Sequence, residues 1–195
     1  MEPPSFPRLS GRVTVSVRPA RPGDVADMAR VQAVTWRTAF RAVLPPSVLD
    51  EWDEDAAAAV WLAAVVSPPT PAHGVLVAVD GDAVVGLAAY GPPEVSADDP
   101  GTPDEPTTEV ATLLVEPRWG RRGHGSRLLA AVSDLAVASG AGRLTMWVPE
   151  ADAVTARFLE SAGWARDGWA RTLDTGGDPL REVRWHTLLE AEAAR

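Results

Sequence analysis

"VEPRWGRRGHGSRLL", Val115 to Leu129, decides how this chain is read. It sets four arginines, one histidine and three glycines after an apolar strand-like run and before a helical one. The protein carries a formal net charge of −9 over 195 residues, so this concentration of positive charge runs against its background. A helix N-terminus presents unpaired backbone N–H groups and a partial positive charge. Glycines let an anion approach those groups with no Cβ in the way. Gly123 and Gly125 lie just ahead of Leu128, and Arg121 and Arg122 add charge. The stretch suits a phosphate or pyrophosphate; a solvated turn is the competing reading, and the local motif leaves both open. Two phosphate loops are excluded. No Lys-Ser or Lys-Thr follows the glycines, so this is not a Walker A loop. The third glycine of a dinucleotide fingerprint falls on Leu128, and the turn follows several strands rather than the first.

Working outward, "EVATLLV" before the loop is a strand. Leu128, Val132, Leu135 and Ala136 after it form one helix face, closed by Gly140. Val13 to Pro19 alternates as a half-buried strand does. Asp24 opens a helix whose apolar face runs Val25, Ala29, Ala33, Trp36 and Phe40. "LPPSVLD" breaks it and starts a second helix through about Val65. "GVLVAVDGDAVVGLAAYG" reads as a hairpin around Asp80-Gly81-Asp82. Residues 92–107 hold an acidic, proline-rich loop. "RLTMWV" is a strand and "ADAVTARFLESAG" a short helix ending at Gly163. The tail gives two strands around a Thr-Gly-Gly-Asp-Pro turn. This order predicts an α/β fold: a central mixed, mostly antiparallel twisted sheet of about seven strands flanked by helices. The quoted stretch sits on its one strand–helix crossover. Residues 1–12 read as a flexible tail, 13–190 as a single domain and 191–195 as a second tail.

The length fits one domain with a sizeable core. No apolar run approaches the ~20 residues a membrane helix needs, and "MEPPSFPRLSGR" lacks the apolar centre of a secretory signal. A cytoplasmic protein with no membrane partner is expected. The acidic balance argues against nucleic acid and is compatible with cationic substrates. There is no cysteine, which removes disulfides, thiolate nucleophiles and Cys-ligated metals; no metal site is expected.

"LLVEPRWGRRGHGSRLL" resembles the acetyl-CoA pyrophosphate loop of the GNAT family of N-acetyltransferases, whose usual pattern is Gln/Arg-x-x-Gly-x-Gly/Ala. Gly120 stands where Gln or Arg is usual, and Arg121 to Ser126 follow. A second block, "LTMWVPEADAVTARFLESAGW", resembles the family's strand, then Asn-x-x-Ala-x-x-Phe-Tyr, then Gly-Phe. "VRPARPGDVADMARVQAVTWRTAF" resembles the N-terminus of a common subgroup. The likeness covers roughly Val13 to Leu189, in the family's element order. It implies that the strand at Leu113, Leu114 and Val115 pairs with the pantetheine arm. It implies that N–H groups of Arg121, Arg122, Gly123, His124, Gly125 and Ser126 hold the pyrophosphate. Asp152 and Phe158 then lie beside the arm, and Trp36 and Phe40 wall the acceptor pocket. Amine attack on the thioester falls where the two central strands splay apart.

The implied function is acetyl transfer from acetyl-CoA to a primary amine, small molecule or peptide, by direct attack in a ternary complex. A lysine-like ammonium has a pKa of ~10.4, so a base must take its proton. Glu109 is the candidate base: it opens the strand that faces the thioester, and its side-chain parity matches Leu113 and Val115. His186, on the last long strand, is a second candidate. The family's asparagine is Asp152 here, which accepts hydrogen bonds but cannot donate when ionised. The family's tyrosine acid is Leu159, which has no proton to give; water or Tyr90 would supply it. Leu159 and Asp152 also motivate an alternative, a non-catalytic acyl-CoA-binding or regulatory module on the same fold. The acidic loop, Glu94 to Glu105, would steer cationic amines. Dimers are common in the family, so a homodimer is open.

Overall fold

A computed structural model describes residues 15–93, 106–175 and 178–189. The two tails, the acidic loop from 94 to 105 and part of the last predicted turn lie outside these residues. Seven strands form one sheet, in the order β1-β2-β3-β4-β5-β7-β6. They are β1 (Val15–Pro19), β2 (Gly74–Asp80), β3 (Ala83–Gly91), β4 (Thr107–Val115), β5 (Arg143–Pro149), β6 (Ala165–Leu173) and β7 (Leu180–Leu188). Neighbours are antiparallel except β4 and β5, which run parallel. The mixed sheet and its helical flanks are as the element order predicts. The β2–β3 turn is the expected one, with Gly81 at φ +62°.

Among the described residues five α-helices flank the sheet: α1 (Val25–Thr38), α2 (Pro46–Asp50), α3 (Glu54–Val66), α4 (His124–Ala138) and α5 (Ala153–Ser161). The single second helix expected after the Leu-Pro-Pro break is in fact two. Asp53 separates them: its carboxylate accepts from the N–H groups of Asp55 (2.9 Å) and Ala56 (3.1 Å) and so starts α3 afresh.

Each face of the sheet has its own core. On one, Leu128, Val132 and Ala136 of α4 and Leu159 of α5 pack against Leu144, Met146, Val148 and Trp185. On the other, Met28 and Val31 of α1 and Trp61 of α3 pack against Val77, Leu87 and Leu114. Burying each such side chain contributes about 1.5–3 kcal/mol. The buried stripe of α4 differs from expectation in one member: Leu129 is buried, while Leu135 lies at the rim of the stripe and is 41% exposed.

Strand β4 carries the two irregularities that shape the site. It pairs with β5 only at Thr107↔Arg143, Thr108↔Leu144 and Glu109↔Thr145, and beyond that point the strands part. Against β3, Ala89 pairs with Thr112 and Tyr90 with Val110, so Ala111 is an extra residue, a β-bulge. Val110 therefore packs with the α4 core while Leu114 packs with the α1 core, although an unbroken strand would put both on one face. This corrects the parity argument for Glu109. Glu109 faces the α1 side, opposite to Val110, whereas Leu113 and Val115 pack on the α4 side.

Candidate active site

The loop after β4 is built from its backbone outward. The Glu116 N–H donates to the Val85 carbonyl at 2.9 Å, Pro117–Trp119 make a single 3₁₀ turn, and α4 begins at His124. Arg121 (φ +61°) and Gly123 (φ +80°) take left-handed conformations between them. Such a conformation costs an L-residue about 1–2 kcal/mol, which accounts for glycine at the helix cap.

The loop's arginines divide their work. Glu116, buried, accepts from Arg30 Nη1 of α1 at 2.6 Å and from Arg118; Arg30 Nη2 also donates to the Val84 carbonyl at 2.9 Å. The Arg122 guanidinium lies over the Trp119 ring, 4.8 Å from its centroid. Arg127 Nη1 donates to the Arg122 carbonyl at 3.0 Å. Arg118, Arg122 and Arg127 thus brace the loop, and Arg121 faces the cleft beside it.

His124 turns its ring inward. The ring is fully buried, edge-on to Trp119, with Nε2 3.5 Å from Asp80 Oδ2 and no hydrogen-bond partner on either nitrogen. Burial pushes its pKa below the ordinary histidine value; Arg127 and Arg122 push the same way and Asp80 opposes them.

A cleft of about 420 Å³ opens in front of the loop. Of the residues singled out by sequence, Leu113, Leu114, Val115, Arg121, Gly123, His124, Gly125, Ser126, Phe158 and Phe40 line it. Thr35, Pro117, Trp119, Gly120, Val154 and Thr155 join them. Thr35 escaped the sequence reading because it interrupts an apolar helix face; its signal is the adjacent Trp36. Trp119 lay inside the quoted stretch.

Arg122, Asp152 and Trp36 do not line the cleft. Asp152 is buried as the cap of α5: Oδ1 accepts from the N–H groups of Val154 (3.1 Å) and Thr155 (3.0 Å), and Oδ2 has no hydrogen-bond partner. Trp36 packs edge-on against Trp52 at 4.8 Å. Leu159 is fully buried in the α4–α5 core.

Glu109 and Tyr90 lie outside the cleft lining and do not meet. Tyr90 packs on the α4 side of the sheet with its ring directly over Gly74, and burial raises its pKa. Glu109 faces the other side, at the last paired position before the fork. His186 also lies on that side, in register with Thr145.

The comparisons with known proteins agree with this architecture. The family model described as the Acetyltransferase (GNAT) family matches residues 33–164. The uncharacterized N-acetyltransferase YuaI of Bacillus subtilis is 29% identical over 137 residues, 70% of this chain and 72% of YuaI. The PaiA N-acetyltransferase of Thermoplasma acidophilum, solved with coenzyme A, superposes with a TM-score of 0.69 at 14% identity, covering 90% of this chain and 99% of PaiA. The ribosomal-protein-alanine N-acetyltransferase of Brucella melitensis superposes at 0.67 with 19% identity, covering 89% and 99%. Among the described residues no helix is long and apolar enough to cross a membrane. The family match spans most of the chain, including the forked strands and the glycine-capped loop: the protein is a member of the GNAT acetyltransferase family.

Proposed function

We propose that this protein transfers the acetyl group of acetyl-CoA to a primary amine by direct attack in a ternary complex. The observation that carries the reading is the continuity of three features: the β4–β5 fork after Glu109, the cleft along Leu113–Val115, and the glycine-capped start of α4. PaiA, solved with coenzyme A, shares the fold. The residues fit such a group. The first N–H groups of α4 have no intrahelical acceptor and suit a pyrophosphate. Gly125 lines the cleft without a Cβ, and Arg121 adds charge there.

When bound, acetyl-CoA supplies an activated thioester. The protein's part is placement and proton handling. Leu113, Leu114 and Val115 orient the arm, and Phe158 closes the cleft over Gly125, 3.6 Å from where a Cβ would stand. Glu109, at the fork, attracts a cationic amine. Tyr90 sits on the opposite side of the sheet and has no part in this reading. No cysteine is present, so the acetyl group does not pass through a cysteinyl enzyme. Initial-velocity measurements with acetyl-CoA and a panel of primary amines test the order of events. Intersecting double-reciprocal lines are expected; parallel lines would mean a covalent acetyl-enzyme.

A further inference from the structure

A row of side chains crosses the sheet at the level where β4 and β5 part. Glu109 of β4 is in register with Thr145 of β5, and Thr145 with His186 of β7. All three face the α1 side, because their sequence neighbours Val110, Leu144 and Trp185 pack in the α4–α5 core on the other side. Neighbouring strands lie about 4.8 Å apart, so the row spans about 10 Å.

This patch holds polar atoms that the fold leaves unsatisfied. Thr145 is 2% exposed, and its Oγ1 has no hydrogen-bond partner. His186 Nδ1, on the adjacent strand, is also buried and unpartnered. Arg143 Nε, two residues before Thr145 on the same face, is a third. Buried polar groups are almost always paired, and leaving one unpaired costs about 1–3 kcal/mol. Thr145 Oγ1 and His186 Nδ1 belong to paired residues at the fork, with Arg143 two residues back along β5, and the first two suit a polar ligand that completes them. The surrounding charges are held by the fold: Asp167 of β6 accepts from Arg184 Nε at 2.7 Å and from Arg143 at 3.2 Å.

Resting on the acetyltransferase reading above, we propose that His186 is the base that takes the proton from the acceptor amine, with Thr145 orienting that amine beside it. The amine nitrogen forms a bond to the acetyl carbon as the carbon–sulfur bond breaks. An ammonium acceptor first gives one proton to solvent; the second proton, lost by nitrogen as the amide forms, goes to the His186 imidazole, and coenzyme A leaves as a thiolate that takes a proton from water. Glu109 is then an electrostatic partner at the far end of the row. The surroundings keep His186 neutral and able to accept. Burial pushes its pKa below the ordinary histidine value, Arg143 and Arg184 push the same way, and Asp167 opposes them. Glu109 faces the same patch from β4.

The test is a pH profile of transfer for wild type, His186→Asn and Glu109→Gln, with spermidine, tyramine and an alanyl peptide as acceptors. It is paired with an NMR titration of the three histidines. In wild type, log kcat/KM rises with a slope of about two below the His186 midpoint and about one above it, since base and amine must each lose a proton. The NMR midpoint of His186 coincides with that break. His186→Asn lowers kcat by about a hundredfold and gives a slope of about one throughout, while calorimetric affinity for CoA is retained. Glu109→Gln keeps the break. His186→Gln carries the same expectation should the asparagine variant fold poorly. A break that survives both His186 variants, or an NMR midpoint away from the break, overturns the proposal and leaves the acetyltransferase reading standing. Absence of transfer by wild type removes both.

Discussion

Arg30 Nη1 of α1 lies 2.6 Å from Oε2 of Glu116, the residue that follows β4 and opens the loop before α4. Glu116 is 3% exposed and also accepts from Arg118. This contact ties the helix that supplies Thr35 and the following Phe40 to the loop on the other side of the cleft. Removing one partner of a buried ion pair leaves the other uncompensated, which costs about 3–5 kcal/mol when both are dry. Arg30 retains a third of its side-chain exposure, so a smaller loss applies. Glu116→Ala should lower unfolding free energy by about 2 kcal/mol and weaken CoA binding. Chemical denaturation and calorimetry check the two effects; unchanged stability would mean that the pair holds nothing.

Gly123 caps α4 at φ +80°. Gly123→Val forces a β-branched side chain into that conformation and sets a Cβ 2.8 Å from Arg127 Nη1. CoA affinity should fall at least about tenfold, equal to about 1.4 kcal/mol. Wild-type affinity by calorimetry would remove the cradle from the loop.

Two substitutions test the capping role of Asp152. Asp152→Ala loses the α5 cap and should cost about 1 kcal/mol of stability. Asp152→Asn keeps an oxygen for the N–H groups of Val154 and Thr155, so its stability should stay near wild type. Asp152 does not line the cleft, so CoA affinity should stay near wild type in Asp152→Asn. Equal stability loss in both variants would contradict the capping role.

Glu109→Gln removes the carboxylate at the fork while keeping its size. For cationic amines, KM should rise about tenfold or more, and CoA affinity should be unchanged. Measuring KM for spermidine and tyramine decides this. An unchanged KM would remove Glu109 from the acceptor side.

Much of the fold was legible because strand and helix periods are local properties. The β2–β3 turn, most of the α4 stripe and the succession of strands along the chain all follow from short windows of sequence. The glycine-capped loop was legible for the same reason, since Gly123 and Gly125 act through their own backbones. The face of Glu109 was not legible. It depends on the bulge at Ala111, which arises from pairing with β3, and no alternation within β4 reveals it. The burial of the His124 ring depends on Asp80 and Trp119, brought together only by tertiary packing. His186 was visible as a residue, but its alignment with Thr145 and Glu109 is a property of the assembled sheet. The tie between Arg30 and Glu116 spans 86 positions in sequence and had no local sign.

The central claim is acetyl transfer to an amine, and the most direct test follows the acetyl group itself. The protein is incubated with acetyl-CoA labelled in the acetyl carbon and a panel of primary amines, and products are resolved by mass spectrometry. The account predicts label on the nitrogen of at least one amine, with an equal amount of free CoA released. Tight CoA binding with no labelled amine across the panel would contradict it and would favour a binding module on the same fold.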